Sequence, residues 1–272
     1  KTERKNMPIK QIPFEVKNPD NLTIRGFEIY LDSEIPCENA IILSHGFKAN
    51  MEKTRPYAQY LAQKGYRCFI FDFCGTWNSS SDGSFEDYMT PMTEVGDLNA
   101  VRKMVEARSD VKTISLLGQS QGGFVSSYSA GTNPKQVDSL ILLFPAMCIP
   151  DDARKGQMQN YHFDPNNIPD HIGTPPFILS GQYARSVLHV DIFKVITGYH
   201  GPVLLVHGTA DPVVNISYAN KTDETYRENG NQIEYFQIPG AGHGFEGDDL
   251  AKAEEYIVEF LKNIRITPKA EV

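Results

Sequence analysis

Cysteine is scarce in this chain: four among 272 residues, Cys37, Cys68, Cys74 and Cys148. No two of them form a CxxC pair, which removes the usual spacing of a zinc site or a dithiol redox motif. Cys68 and Cys148 lie in or beside apolar runs and read as core thiols. That usage fits a reducing, cytoplasmic compartment. Because the first residue is Lys1 and not Met, a secreted form whose leader has been removed stays open beside it. Basic charge is also short. There are 26 Lys and Arg against 34 Asp and Glu, a formal net charge of −8. With no basic stripe to neutralise phosphates, nucleic acid is not an expected partner. Lys1, Arg4, Lys5 and Lys10 make only a short basic start, read as a solvated tail. No apolar run approaches the roughly 18–20 residues of a membrane span, and neither repeats nor low-complexity tracts occur.

What is present is an ordinary globular balance, 40% hydrophobic and 22% charged. A chain of this length buries enough surface to fold without a disulfide or a metal, so residues 1–272 are expected to form one unit carrying an insertion. Short apolar runs at 22–31, 40–44, 67–73, 113–117, 139–144, 203–207 and 233–238 read as strands. The central ones are continuous and apolar, as buried parallel strands are. Helical spacing fills 51–64, 93–107, 124–130, 218–227 and 250–264. On the second of these, Val95, Leu98, Val101, Met104 and Val105 share a face. Alternation of this kind predicts an α/β fold with a mostly parallel sheet covered on both faces. The rhythm breaks at 146–199, a stretch rich in proline and polar residues. So long a structureless segment is improbable inside a compact domain unless it is functional, and it reads as an inserted cap built from short helices.

Gly118-Gln119-Ser120-Gln121-Gly122 is a G-x-S-x-G string between an expected strand and an expected helix. A strand-to-helix turn that sharp strains the backbone at the serine and leaves room only for glycine on either side. It presents Ser120 as a nucleophile at a helix N-terminus. A serine hydroxyl needs a base, and the base needs a carboxylate to hold its tautomer. In this arrangement the chain order is serine, acid, histidine. Of seven histidines, His243 fits the base: it sits in Pro239-Gly240-Ala241-Gly242-His243-Gly244-Phe245, after a strand and before the last helix. Asp211, after the strand that ends at His207, fits the acid, with Pro212 stiffening its turn. Asp248 and Asp249 are fallbacks that break the order. His207 is expected to hydrogen-bond within its own loop. The oxyanion donors are expected to be the N–H groups of Gln121 and of Phe47, in Ser44-His45-Gly46-Phe47. His45 is then a loop-stabilising residue.

On these residues the chain resembles the bacterial cinnamoyl (feruloyl) esterases of the α/β-hydrolase superfamily, over nearly its whole length. His45-Gly46-Phe47, Phe71-Asp72-Phe73 with Gly75 and Ser81-Asp82-Gly83, the Ser120 string, His207-Gly208 with Asp211, and Gly242-His243 are motifs of the superfamily at large. The insertion is more specific. It carries Phe144-Pro145-Ala146, Asp152, Gln159, Tyr161, Asp164-Pro165, Ile168-Pro169-Asp170 and Gly181-Gln182-Tyr183. The resemblance implies a serine esterase, with no metal or cofactor, that releases ferulate, coumarate or caffeate from esters such as those of plant cell-wall sugars. It implies that Asp152, Gln159 and Tyr183 contact the ring substituents. The loop after Phe73 is about one residue longer than the family pattern and carries the single tryptophan; Trp77 either lines the acyl pocket or packs under that loop. A broad short-chain carboxylesterase, a monoacylglycerol lipase-like hydrolase and an inactive hydrolase fold used for binding stay open as alternatives. The expected partner is a small ester, with a membrane excluded and a homodimer left open.

Overall fold

The apolar runs of the central strands are unbroken because both faces of each strand are covered. In the computed structural model, which describes residues 8–33 and 37–264, neighbouring side chains along a strand enter two different cores. Ala40 and Ile42 face one core while Ile41 and Leu43 face the other; Leu140 and Leu142 oppose Ile141 and Leu143 in the same way. The elements run β1 (Ile9–Lys17), β2 (Thr23–Leu31), β3 (Asn39–Ser44), α1 (Arg55–Gln63), β4 (Arg67–Phe71), α2 (Pro91–Glu106), β5 (Thr113–Gln119), α3 (Gln121–Thr132) and β6 (Ser139–Leu143). Then come α4 (Ile149–Arg154), β7 (Gln157–Met158), β8 (Tyr161–His162), β9 (His171–Thr174), β10 (Phe177–Ser180), α5 (Gln182–Arg185) and α6 (Ile192–Ile196). The chain finishes with β11 (Val203–Gly208), α7 (Ile216–Glu228), β12 (Ile233–Ile238) and α8 (Gly247–Asn263).

Eight strands form one sheet in the order β1-β2-β4-β3-β5-β6-β11-β12. Pairs from β4 to β12 are parallel, and β2 runs antiparallel to both of its neighbours. One core packs α2, α3 and α7 against the sheet through Leu98, Val101, Phe124, Val125 and Tyr226. The other packs α1 and α8 through Tyr57, Leu61, Ile257 and Phe260. This is the α/β-hydrolase fold. Among the described residues no helix is long and apolar enough to cross a membrane.

Several elements differ from their sequence-based expectation. Strand β1 corresponds to no apolar run; it is an edge strand with mostly exposed residues and an internal Pro13. Lys10 belongs to it and pairs with Asp32 at 2.7 Å, so it is not part of a tail; Lys1, Arg4 and Lys5 lie outside the described residues. Strand β4 ends at Phe71 and not Phe73, because Asp72 turns its side chain to loop amides. The segment 146–199 contains three short helices and also two small hairpins, β7–β8 and β9–β10. Its last helix, α6, packs on α3 so closely that a Cβ on Gly131 would meet Val195 O at 2.3 Å.

The connections that matter leave the C-terminal edge of the parallel strands, where α/β sheets place their sites. Asp72, 2% exposed, ties two of these loops together. Its Oδ1 accepts from Met51 N–H at 2.7 Å and its Oδ2 from Ser80 N–H and Ser80 Oγ, both at 2.7 Å. Replacing Asp72 by Ala leaves the buried Met51 N–H unpaired, and Asp72→Ala is expected to lower the unfolding free energy by about 1–3 kcal/mol. Urea denaturation measures this; a loss well under about 0.5 kcal/mol, the usual range of a surface substitution, contradicts the role given to Asp72.

Candidate active site

Ser120 stands between β5 and α3 at φ 52°, ψ −119°. Two glycines make that turn possible. A Cβ on Gly118 would lie 2.2 Å from Gly122 O, and one on Gly122 would lie 2.4 Å from both Ser44 O and His45 O. Backbone bonds fix the serine from both sides: its N–H donates to Leu143 O at 3.0 Å, and its carbonyl accepts from Gly123, Phe124 and Ala146. Helix α3 starts at Gln121, earlier than apolar spacing alone indicates, because Gly122 and Gly123 occupy its first turn.

The chain brings Ser120, His243 and Asp211 together. His243 Nε2 lies 2.9 Å from Ser120 Oγ, and His243 Nδ1 lies 2.8 Å from Asp211 Oδ2. The carboxylate only accepts, so the imidazole proton belongs on Nδ1 and Nε2 is left to accept from the serine hydroxyl. The loops that carry the two residues are stitched to each other: Ala210 N–H donates to Ala241 O at 3.0 Å and Gly240 N–H to Thr209 Oγ1 at 2.8 Å. Asp211 Oδ1 accepts from the N–H groups of Val213 and Val214 at 2.8 and 2.9 Å. Burial pushes the Asp211 carboxyl up. The hydrogen bonds from His243, Val214 and Val213 outweigh it and hold Asp211 below its ordinary value. Asp248 and Asp249 sit in the first turn of α8 and take no part in this group.

The other histidines near the strand ends are occupied. His45 is fully buried; its Nε2 accepts from Phe73 N–H at 3.2 Å, so its proton is on Nδ1, 2.9 Å from Gly46 O. It ties the loop after β3 to the loop after β4, and burial keeps it neutral. His207 Nε2 faces Val214 O at 3.0 Å, and burial lowers its pKa as well.

Gln121 opens α3, where an N–H has no intrahelical acceptor. Phe47 follows Gly46, where a Cβ would lie 3.1 Å from Ser120 Cβ, so the turn after β3 passes directly over the serine. Both residues border a cavity of about 300 Å³ that opens at Ser120. Its walls are largely apolar, with Ala146, Ile149, Ala153 and Met158 from the segment that follows β6. Asp152, Gln159 and Tyr183 also line it. Burial raises the Asp152 carboxyl above its ordinary value, against a hydrogen bond from Cys148. Gln159 Oε1 lies 3.4 Å from Lys48 Nζ, and the Tyr183 hydroxyl donates to Gln121 Oε1 at 2.5 Å. Pro212 and the exposed Val213 form part of the rim. Trp77 is not at this cavity. Its ring packs on Phe177 and Phe85, with centroids 4.7 and 5.4 Å away, because the long loop after β4 folds back on the β9–β10 hairpin.

Two further residues at the site have contacts that the motifs do not announce. Phe144, at φ 38°, places its ring edge-on to His243 with centroids 5.0 Å apart and braces one side of the imidazole. Glu94 reaches under the cavity from α2 and accepts from Gln121 Nε2 at 2.8 Å. Its signal in the sequence is its position: it shares the helix face of Leu98, Val101 and Val105, where a carboxylate is out of place.

The family model described as "Serine aminopeptidase, S33" matches residues 36–163, and that of the dienelactone hydrolase family matches residues 191–260. Acyl-protein thioesterase 1 of Debaryomyces hansenii is 36% identical over 62 residues, 22% of this chain and 27% of that protein. Esterase LipC of Mycobacterium tuberculosis is 26% identical over 151 residues, 53% of this chain and 37% of that protein. The chain therefore matches well under half the length of either relative. Among solved structures, Est1E from Butyrivibrio proteoclasticus with ferulic acid bound superimposes with a TM-score of 0.83 at 26% identity, covering 91% of this chain and 99% of that one. The Pyrococcus furiosus esterase Pf2001 superimposes with a TM-score of 0.70 at 20% identity over 94% of this chain and 92% of that one, a likeness of fold. The chain thus has the fold of the α/β-hydrolases, and Ser120, His243 and Asp211 stand in it with the geometry of a serine-hydrolase triad.

Proposed function

We propose that the protein hydrolyses carboxylic esters of hydroxycinnamic acids such as ferulate and coumarate through an acyl-enzyme on Ser120. In this reading His243 takes the proton of Ser120 while Oγ attacks the ester carbonyl. Asp211 holds the imidazole and stabilises its cationic form. The N–H groups of Phe47 and Gln121 receive the oxyanion, helped by the positive end of α3. His243 then gives its proton to the leaving alcohol oxygen as the C–O bond breaks. In the second half His243 deprotonates a water, which attacks the acyl carbon; Ser120 regains the proton and the acid leaves.

The observation that carries the substrate class is the cavity itself. Ser120 lines it together with apolar groups such as Ala146, Ile149, Ala153 and Met158 and with the polar groups of Asp152, Gln159 and Tyr183. A hydroxycinnamoyl group has the matching form, with a carbonyl at one end, an aromatic body and a phenolic hydroxyl at the other. Est1E, with its bound ferulic acid, supports the same assignment by analogy. We read 146–199 as the cap that closes over the acyl group, and the alcohol as the part left toward solvent.

Two experiments test the proposal. Ser120→Ala is expected to lose about 10⁴–10⁶ in kcat and all labelling by a fluorophosphonate probe, and Asp211→Asn about 10⁴ in kcat. Esterase activity retained in Ser120→Ala removes the mechanism. Methyl ferulate is expected to exceed methyl butyrate in kcat/KM by about 100-fold, the scale that a fitted pocket provides. Equal efficiency on the two esters removes the aromatic preference and leaves a broad carboxylesterase.

A further inference from the structure

The side chain of Gln121 lies between two buried groups. Its Nε2 donates to Glu94 Oε2 at 2.8 Å and passes Met89 Sδ at 3.7 Å, and its Oε1 accepts from the Tyr183 hydroxyl at 2.5 Å. Glu94 and Gln121 are each 1% exposed and Tyr183 is 6% exposed. Such a chain has a direction. Burial raises the Glu94 carboxyl above its ordinary value against the hydrogen bond from Gln121, and with or without a proton on its other oxygen Oε2 accepts from Nε2; that turns the amide oxygen the other way, and the phenol facing that oxygen must donate to it. Burial raises the Tyr183 phenol well above its ordinary range, so the proton is there to donate. A phenol has one proton. Once it is committed to Gln121, Tyr183 offers only lone pairs to the cavity that it borders.

We propose that Glu94 is a positioning residue that fixes the hydrogen-bond polarity of the acyl pocket, so that the pocket selects acyl groups carrying a hydroxyl donor over those of the same shape capped as a methyl ether. The inference rests on the hydroxycinnamate reading and adds to it the group that enforces the selection. Asp152 works in the same sense, as a second acceptor on the cavity wall. Gln159 contributes less, since its Oε1 is directed to Lys48. Without Glu94 the Gln121 amide is free to turn by half a revolution. Tyr183 then accepts from Nε2, swings its own proton into the cavity, and meets an ether oxygen as readily as a hydroxyl.

The test compares methyl ferulate with methyl 3,4-dimethoxycinnamate, which differ by one O-methyl group, in the wild-type chain, in Glu94→Met and in Tyr183→Phe. The quantity read is the ratio of kcat/KM on the two esters, which cancels any shared loss of active enzyme. A ratio of about 100 or more is expected for the wild type, since a site built to bond a substrate hydroxyl rejects an analogue without it by up to about 10⁴–10⁵. Glu94→Met is expected to cut that ratio about tenfold, and Tyr183→Phe by a similar factor. A wild-type ratio near one overturns the selection for a hydroxyl donor, whereas the hydroxycinnamate reading stands or falls by methyl ferulate against methyl butyrate. A high wild-type ratio that survives in Glu94→Met overturns the role of Glu94 alone, since steric exclusion of the extra methyl survives that change and hydrogen-bond selection does not. Should Glu94→Met fail to fold, Gln121→Met breaks the same chain from its middle, and the same two outcomes decide.

Discussion

The backbone of Ser120 at φ 52°, ψ −119° sits in a region that residues with a side chain rarely adopt, at a cost of about 1–3 kcal/mol. Nothing local to Ser120 relieves that cost; it is met by the packing of β5, α3 and the turn after β3, which meet with no room for a Cβ at Gly118 or Gly122. Four backbone hydrogen bonds tie the serine to β6, to α3 and to Ala146. Because the turn is that tight, Oγ projects from the sheet edge toward the loop that carries His243. Because α3 begins one residue later, the Gln121 N–H is left without a helical partner beside it. The projection of Ser120 Oγ and a Gln121 N–H without a helical partner are thus two consequences of one strained turn.

The proton positions follow from a second constraint, the number of donors around Asp211. Its Oδ1 is taken by two backbone amides, and its Oδ2 faces His243 Nδ1 at 2.8 Å and His207 Nε2 at 3.4 Å. Were His207 charged it would compete for the carboxylate and weaken its hold on the base. Burial lowers the His207 pKa, so this second imidazole stays neutral and directs Nε2–H to Val214 O. The site therefore contains one charged partner for one imidazole, and the alignment of His243 with Ser120 is single-valued.

Much of this is legible in the sequence. The strand–turn–helix setting of Gly118–Gly122, the order Ser120, Asp211, His243 and the apolar runs of the central strands all follow from local residue pattern, since the turn and the double-sided burial impose it directly. What stays hidden depends on contacts between distant segments. Strand β1 forms because β2 offers it an edge, and its own residues are too polar to announce it. Trp77 has two equivalent readings until the β9–β10 hairpin, which no apolar run announces, supplies Phe177 as its partner. Glu94 stands on an apolar helix face, and the reason for it lies in Gln121, 27 residues away in sequence.

The two halves of the site differ in how they are held. Ser120, His243 and Asp211 follow strands of the main sheet. The segment across the cavity consists of strands of two to four residues and helices of four to six, none of which is stable by itself. Its shape must come from its ties. Arg154 donates to the carbonyls of Leu188 and Val190, Tyr218 on α7 donates to Asp151, and Ser180 N–H donates to Glu86 O. Lys48 lies 3.9 Å from the centroid of Phe177. Of the ties that cross from this segment to the core, the one from Tyr183 to Gln121 is buried and ends on the residue that follows Ser120. A displacement of α5 is therefore felt first by the Gln121 side chain, next to the nucleophile. In the proposed reaction, the same bond that holds the segment in place makes the fit of the acyl group and the geometry of the attack depend on each other.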